Sequence, residues 1–140
     1  MARDCSGITA ASIRESADVV VDALFGFSFR PPLRSPFDEL MRAIAEASSG
    51  AMAVPVASVD VPSGWDVDGE DATGLGFVPD SLVSLTAPKP CAAKLESAAQ
   101  WLGGRFVPPS LAERLGIEGY ASLYQGSEQV VLLDRPAMPW

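Results

Sequence analysis

The chain sorts its apolar residues into short runs, each closed by a carboxylate, a glycine or a proline, with one clearly helical stretch between the first two. Asp18-Val-Val-Val-Asp-Ala-Leu-Phe-Gly26 predicts a strand over residues 18–25, with Asp22 near its carboxyl end and Gly26 just beyond. Ala53-Val-Pro-Val-Ala-Ser-Val59, inside a strand predicted over residues 52–61, delivers Asp60 to a rim where Pro62 and Gly64 turn the backbone outward. Between them Ser35 reads as an N-cap, Pro36 as the first helical position and Asp38 as a capping-box acid. Phe37, Leu40, Met41, Ile44 and Ala45 then recur at helical spacing as one buried face, and Gly50 reads as the terminator. Residues 18–61 therefore spell strand, helix, strand, the unit that gives parallel pairing through a right-handed crossover.

Downstream, Asp80–Thr86 reads as another short strand closed by Ala87-Pro-Lys-Pro90, and Gly104–Pro109 as a weaker one. Ser110–Gly116 is expected to make one or two helical turns capped by Gly116, and Gln129–Leu133 a last strand. There is no internal repeat. Residues 1–17 and the tail 134–140 carry little pattern, so fraying is expected at both ends, around a domain spanning residues 18–133. In a parallel sheet of this kind ligands bind beyond the carboxyl ends of the strands, where Asp22 and Asp60 both lie.

Composition narrows the chemistry. A chain of 140 residues, 48% hydrophobic, suffices for one core. Its net charge of −8 argues against a phosphate-binding surface for DNA or RNA, so no nucleic-acid partner is expected. No apolar run approaches the ~20 residues that span a bilayer, and Met1-Ala-Arg-Asp-Cys-Ser6 lacks the apolar centre of a secretory signal, so no membrane partner and a soluble, intracellular protein are expected. Cys5 and Cys91 have no metal-ligand or redox spacing and are read as free thiols. With no histidine in the chain, Ser/His/Asp triads, Cys/His dyads and His-based zinc sites are excluded, and aspartate leads as the proton-transfer group. Asp66, Asp68 and Glu70 alternate as in a calcium loop, but Asp71 and Phe77 stand where an EF-hand needs glycine and glutamate, so a solvated acidic loop is expected. Taken alone, Asp60 before Pro-Ser-Gly is also a good turn former, Asp22 a cap for the next turn, Ser63 a turn serine and Lys89 a solvated loop lysine. Phe25, Phe27 and Phe29 read equally as walls for a flat ring or as core.

Four segments stand in an order and spacing that resemble one family. Val20-Val-Asp-Ala-Leu-Phe-Gly-Phe-Ser-Phe29, Ala57-Ser-Val-Asp-Val-Pro-Ser-Gly-Trp-Asp66, Leu82-Val-Ser-Leu-Thr-Ala-Pro-Lys89 and Leu102-Gly-Gly-Arg-Phe-Val-Pro-Pro109 resemble the NAD(P)H-hydrate epimerases, the YjeF N-terminal domain group. The resemblance covers about residues 18–116 and implies a three-layer α/β/α Rossmann-like fold with a mainly parallel sheet. It implies an isomerase that interconverts the R and S forms of NADHX and NADPHX, so that a separate dehydratase can repair the S form. Carried over residue by residue, Asp60 is the substrate-binding aspartate and the choice for proton transfer. Gly26, Phe27, Ser28, Phe29, Arg30, Pro31 and Pro32 form the substrate-contacting loop. Asp22 and Ser63 match ligands of one potassium ion per subunit, which suits a hard cation that favours oxygen. The family's asparagine-rich phosphate loop, of the type G-x-G-N-N-G-G-D, has no counterpart in a chain without asparagine, so the N-terminal part of the domain is expected to be missing. The alternative reading is a catalytically incomplete piece of the family acting as a binding or interaction module, with an exposed sheet edge that invites a homodimer. The resemblance implies relatives in the cytosol, in mitochondria and, in animals, secreted, and a cytoplasmic location, with a mitochondrial one as the alternative, is expected.

Overall fold

Four of the apolar runs become strands shorter than the runs themselves, because only part of each finds a pairing partner. In the computed structural model, which describes residues 7–133, the strands are β1 (Val20–Asp22), β2 (Val56–Val59), β3 (Ser81–Leu85), β4 (Ala99–Gly103) and β5 (Val130–Leu132). They form one sheet in the order β1-β2-β3-β4-β5, the first four parallel and β5 antiparallel to β4. The class is α/β with a mainly parallel sheet, as the strand–helix–strand pattern predicts. Register sets Asp22 opposite Ser58 and Val59 opposite Val83, so the carboxyl ends of β1, β2 and β3 open on one rim.

Helix α2 (Phe37–Ala47) joins β1 to β2 and buries Met41, Ala43, Ile44 and Ala47. It starts one residue later than Ser35 and Pro36 suggest: Pro36 is the N-cap, and no side chain caps the helix. Asp38 and Glu39 in the first turn instead complement the positive end of the helix dipole. Phe37 is exposed, and Leu40 and Ala45 are half-buried, so the buried stripe runs closer to Ala43 and Ala47 than the predicted face.

The N-terminal segment is more ordered than its weak pattern suggests. Thr9 and Ser12 make a reciprocal capping box that starts α1 (Ala10–Ser16), with the Ser12 N–H donating to Thr9 Oγ1 at 3.2 Å and the Thr9 N–H to Ser12 Oγ at 3.0 Å. Ala10 and Ile13 are buried, α1 packs on α2, and the Arg14 guanidinium donates to the Glu46 carbonyl. Fraying therefore does not reach residues 10–16; Cys5 and the tail 134–140 lie outside the described residues.

The weak strand expected over Gly104–Pro109 is displaced upstream into β4. Gly104 turns the backbone at φ +81°, and Pro108 and Pro109 lack the N–H groups a ladder needs. Residues 99–103 escape an apolar-run search because Gln100 points inward, where its amide donates to the carbonyls of Ala92 and Leu95 at 3.3 Å each. Helix α3 (Pro109–Leu115) ends on Gly116 in the left-handed conformation, as its glycine predicts. The main core gathers Met41, Val56, Val61, Trp65, Phe77, Leu82 and Leu95, and a smaller cluster forms around Leu102 and Tyr124. Among the described residues no helix is long and apolar enough to cross a membrane.

The acidic loop after Trp65 closes on Asp71, which pairs back to Trp65. Burial raises the Asp71 carboxyl, but hydrogen bonds from the Thr73 hydroxyl, from the Thr73 N–H at 2.8 Å and from the Gly76 N–H at 2.6 Å outweigh it and leave the pKa below its ordinary value of 3.8. A depressed folded-state pKa contributes stability above the unfolded value that is lost as pH falls through the folded one. The stability gap between wild type and Asp71→Asn, followed by urea unfolding, is expected to be constant above about pH 5 and to close below the ordinary carboxyl value. A gap that widens on acidification would refute this account.

Candidate functional site

Three neighbouring parallel strands end the same way. Asp60 follows β2 at φ 73°, Thr86 follows β3 at φ 69°, and Gly104 follows β4 at φ 81°. The left-handed region is ordinary for glycine, tolerated by aspartate and unusual for a β-branched threonine. Ladder hydrogen bonds continue into these turns: the Asp60 N–H donates to the Val83 carbonyl at 2.8 Å, and the Thr86 N–H to the Gly103 carbonyl at 2.9 Å. The backbone is thus pinned up to the residue that turns away.

The Asp60 carboxylate is gripped from two sides. The Phe27 N–H donates to Oδ2 at 3.0 Å, while Lys89 Nζ forms an ion pair with Oδ1 and also donates to the Leu85 carbonyl at 2.8 Å. The Asp60 and Lys89 side chains keep 17% and 18% of their surface exposed, enough for a small molecule to reach them. A Cβ on Gly26 would stand 2.9 Å from Asp60 Oδ2, so the absence of a side chain there is what lets this loop approach the carboxylate. Beside the pair opens a cleft of ≈ 550 Å³ walled by Phe27, Leu85, Pro88 and Phe106. Lys89 corrects the reading of a solvated lysine; the available signal was its position between Pro88 and Pro90, which restrict the backbone directly after a strand.

Behind the rim, Asp22 is fully buried. Its Oδ2 accepts from Ser58 Oγ at 2.8 Å and from the Ser63 N–H at 2.8 Å, while the Leu24 N–H reaches Oδ1 only at 3.5 Å. Ser63 Oγ accepts from the Phe25 N–H at 3.0 Å. Asp22 and Ser63 are thus brought together, and Ser58, absent from the predicted set, joins them. Among the described residues no lysine or arginine forms an ion pair with Asp22.

The residues of the loop 26–32 face different cavities. Phe27 faces the Asp60 cleft, whereas Ser28, Phe29, Arg30, Pro31 and Pro32 line a second cavity of ≈ 680 Å³ that also takes in Arg34. The phenylalanines separate as well. Phe25 packs against Phe29 and Phe37 with ring centroids 5.1 and 5.3 Å away, leaving Phe27 outside the cluster. Cys91 is a buried free thiol pushed up to about 11, chiefly by burial, and so is no nucleophile at neutral pH.

Comparison with known proteins matches residues 3–91 to the family described as YjeF-related protein N-terminus, a span that takes in α1 and ends before β4. An NAD(P)H-hydrate epimerase of Candida albicans is 42% identical over 119 residues, covering 82% of this chain and 45% of that protein. An NAD(P)H-hydrate epimerase of Aedes aegypti is 41% identical over 134 residues, covering 96% and 54%. The crystal structure of yeast ynu0, YNL200c, superimposes with a TM-score of 0.75 at 38% identity over 86% of this chain and 48% of that one. The chain spans about half the length of these relatives. With the matched segments carrying the Gly26 loop, Asp60 and Lys89 on one rim and Asp22 behind it, the chain belongs to the family of YjeF-related protein N-termini.

Proposed function

We propose that this chain carries the proton-transfer site of an NAD(P)H-hydrate epimerase, interconverting the R and S hydrates of NADH and NADPH. The observation that carries the reading is the Asp60 carboxylate, oriented by Phe27 and Lys89 and open to a cleft at the carboxyl ends of parallel strands. Epimerisation requires a ring hydroxyl to leave and return on the opposite face. In its protonated form the Asp60 carboxyl can hand a proton to that hydroxyl as it leaves as water, and the resulting carboxylate can take a proton back from the water that returns on the other face, with Lys89 as the positioning residue that keeps Oδ1 turned to the cleft. Arg30 and Arg34 on the second cavity suit the substrate's phosphates.

A potassium ion is the second part of the proposal. Asp22 Oδ1 and Ser63 Oγ supply oxygens of the kind a hard cation takes, and a buried carboxylate without a cationic side chain gains most from such an ion. Bound there, potassium would supply positive charge behind the rim.

One observation favours a second reading, an interaction module that dimerises. Strand β1 is a sheet edge, with Val19 53% and Val21 66% exposed.

Epimerisation of R-NADHX, followed by chromatography of the two forms, is expected to fall at least about a hundredfold in Asp60→Ala and roughly tenfold or more in Gly26→Ala, whose methyl displaces the carboxylate. Undiminished turnover in a folded Asp60→Ala protein would sink the assignment. Melting in potassium chloride against tetramethylammonium chloride is expected to show a rise of a few degrees with potassium that Asp22→Asn abolishes; equal melting temperatures would remove the ion from the account. Sedimentation equilibrium separates the second reading: a dimer dispersed by Val21→Lys supports it, and a monomer across the whole concentration range discards it.

A further inference from the structure

The cleft beside Asp60 has two aromatic walls. Phe27 and Phe106 both line it, and both are strongly exposed, at 63% and 68%. A single exposed aromatic residue is unremarkable, but two rings lining one cleft over the Asp60–Lys89 pair form a surface with a specific shape. The other phenylalanines of the neighbourhood lie elsewhere, since Phe25 packs against Phe29 and Phe37 and all three line the second cavity.

Gly104 determines where the Phe106 ring lies. A Cβ built on Gly104 would stand 2.0 Å from Phe106 Cε2 and 2.6 Å from Cδ2, so the ring rests directly on the Gly104 backbone. The same residue sits at φ +81°, which a side chain would also resist. Glycine at this position thus lets the chain turn out of β4 and lets the ring fold back over the turn. A ring placed before the ligand arrives loses less freedom on binding. The remaining lining is mostly apolar, from Leu85, Ala87, Pro88 and Pro90, with polar groups confined to Asp60, Lys89 and Thr86. Such a cleft takes a flat ring with apolar faces and one polar edge.

We propose that Phe106, seated on Gly104, is a substrate-binding residue that together with Phe27 clamps the nicotinamide-derived ring while Asp60 and Lys89 address its polar edge. The choice of ring rests on the epimerase reading; the clamp itself rests on the cleft. Phe106 lies beyond the residues 3–91 matched to the family, inside the segment Leu102–Pro109 that resembles the epimerases.

Two measurements on the whole chain separate the two ideas. Nicotinamide at millimolar concentration is the first probe, with intermolecular NOEs to the ring protons of Phe27 and Phe106 expected. R-NADHX is the second: Phe106→Leu keeps apolar bulk but removes the flat face, and KM is expected to rise roughly fivefold to tenfold, with a smaller loss in kcat. Phe106→Tyr restores KM, and Gly104→Ala reproduces the Phe106→Leu defect by dislodging the ring. Absence of NOEs to Phe106, or a wild-type KM in Phe106→Leu, overturns the clamp. NOEs to both rings without turnover of R-NADHX in any variant leave the clamp standing and overturn the epimerase reading.

Discussion

Left-handed backbone at the ends of three adjacent strands is the constraint on which this site depends. In a parallel sheet the chain must leave each strand and cross back, and an ordinary extended exit would continue the ladder past the rim. Here Asp60, Thr86 and Gly104 turn sharply while their neighbours remain hydrogen-bonded, so the sheet stops along one line and a cleft opens beside it. Asp60 combines two roles at this line. Its backbone makes the turn, and its carboxylate receives two distant segments of chain, the earlier Gly26 loop and the later Lys89. Loosening the turn would therefore disturb both contacts together.

A second carboxylate lies one strand away in the opposite environment. Asp22 is buried and bound by neutral donors, Ser58 on the adjacent strand and the Ser63 N–H on the turn after it, whereas Asp60 reaches solvent and pairs with an ammonium. Asp22 ties β1 to the turn that follows Asp60, so the inner acid holds the frame within which the outer acid is presented. Because Ser63 also accepts from the Phe25 N–H, the loop that approaches Asp60 is anchored to the same turn at its root.

Much of this was legible in the sequence. Short apolar runs ending in Asp22 and Asp60, with a helical stripe between them, are sufficient to predict a parallel pair and two acids at its rim, because strand burial and turn chemistry are local properties. The signals that failed concern residues whose role is set by distant neighbours. Gln100 hid β4 because its amide is satisfied by carbonyls of the preceding 3₁₀ turn. Lys89 read as solvated because its partner lies 29 residues earlier. Ser35 lost its capping role to Pro36, although the rule that nominated it is sound elsewhere in the chain, where Thr9 and Ser12 cap α1. The division of the phenylalanines into a packed trio and one exposed ring likewise depends on the path of the loop, which spacing alone does not determine.

Thr86 carries a cost that its neighbours at the rim do not. A β-branched residue at φ 69° is strained, by on the order of 1–2 kcal/mol relative to a conformation it prefers, and glycine would relieve that strain. Yet Thr86 contributes one of the few polar groups in the cleft. The position therefore sets backbone strain against cleft polarity: glycine there relieves the strain and removes one of the cleft's few polar groups. Directed evolution under heat alone would thus be free to strip a polar group from this rim at a residue whose side chain forms no described hydrogen bond with either acid.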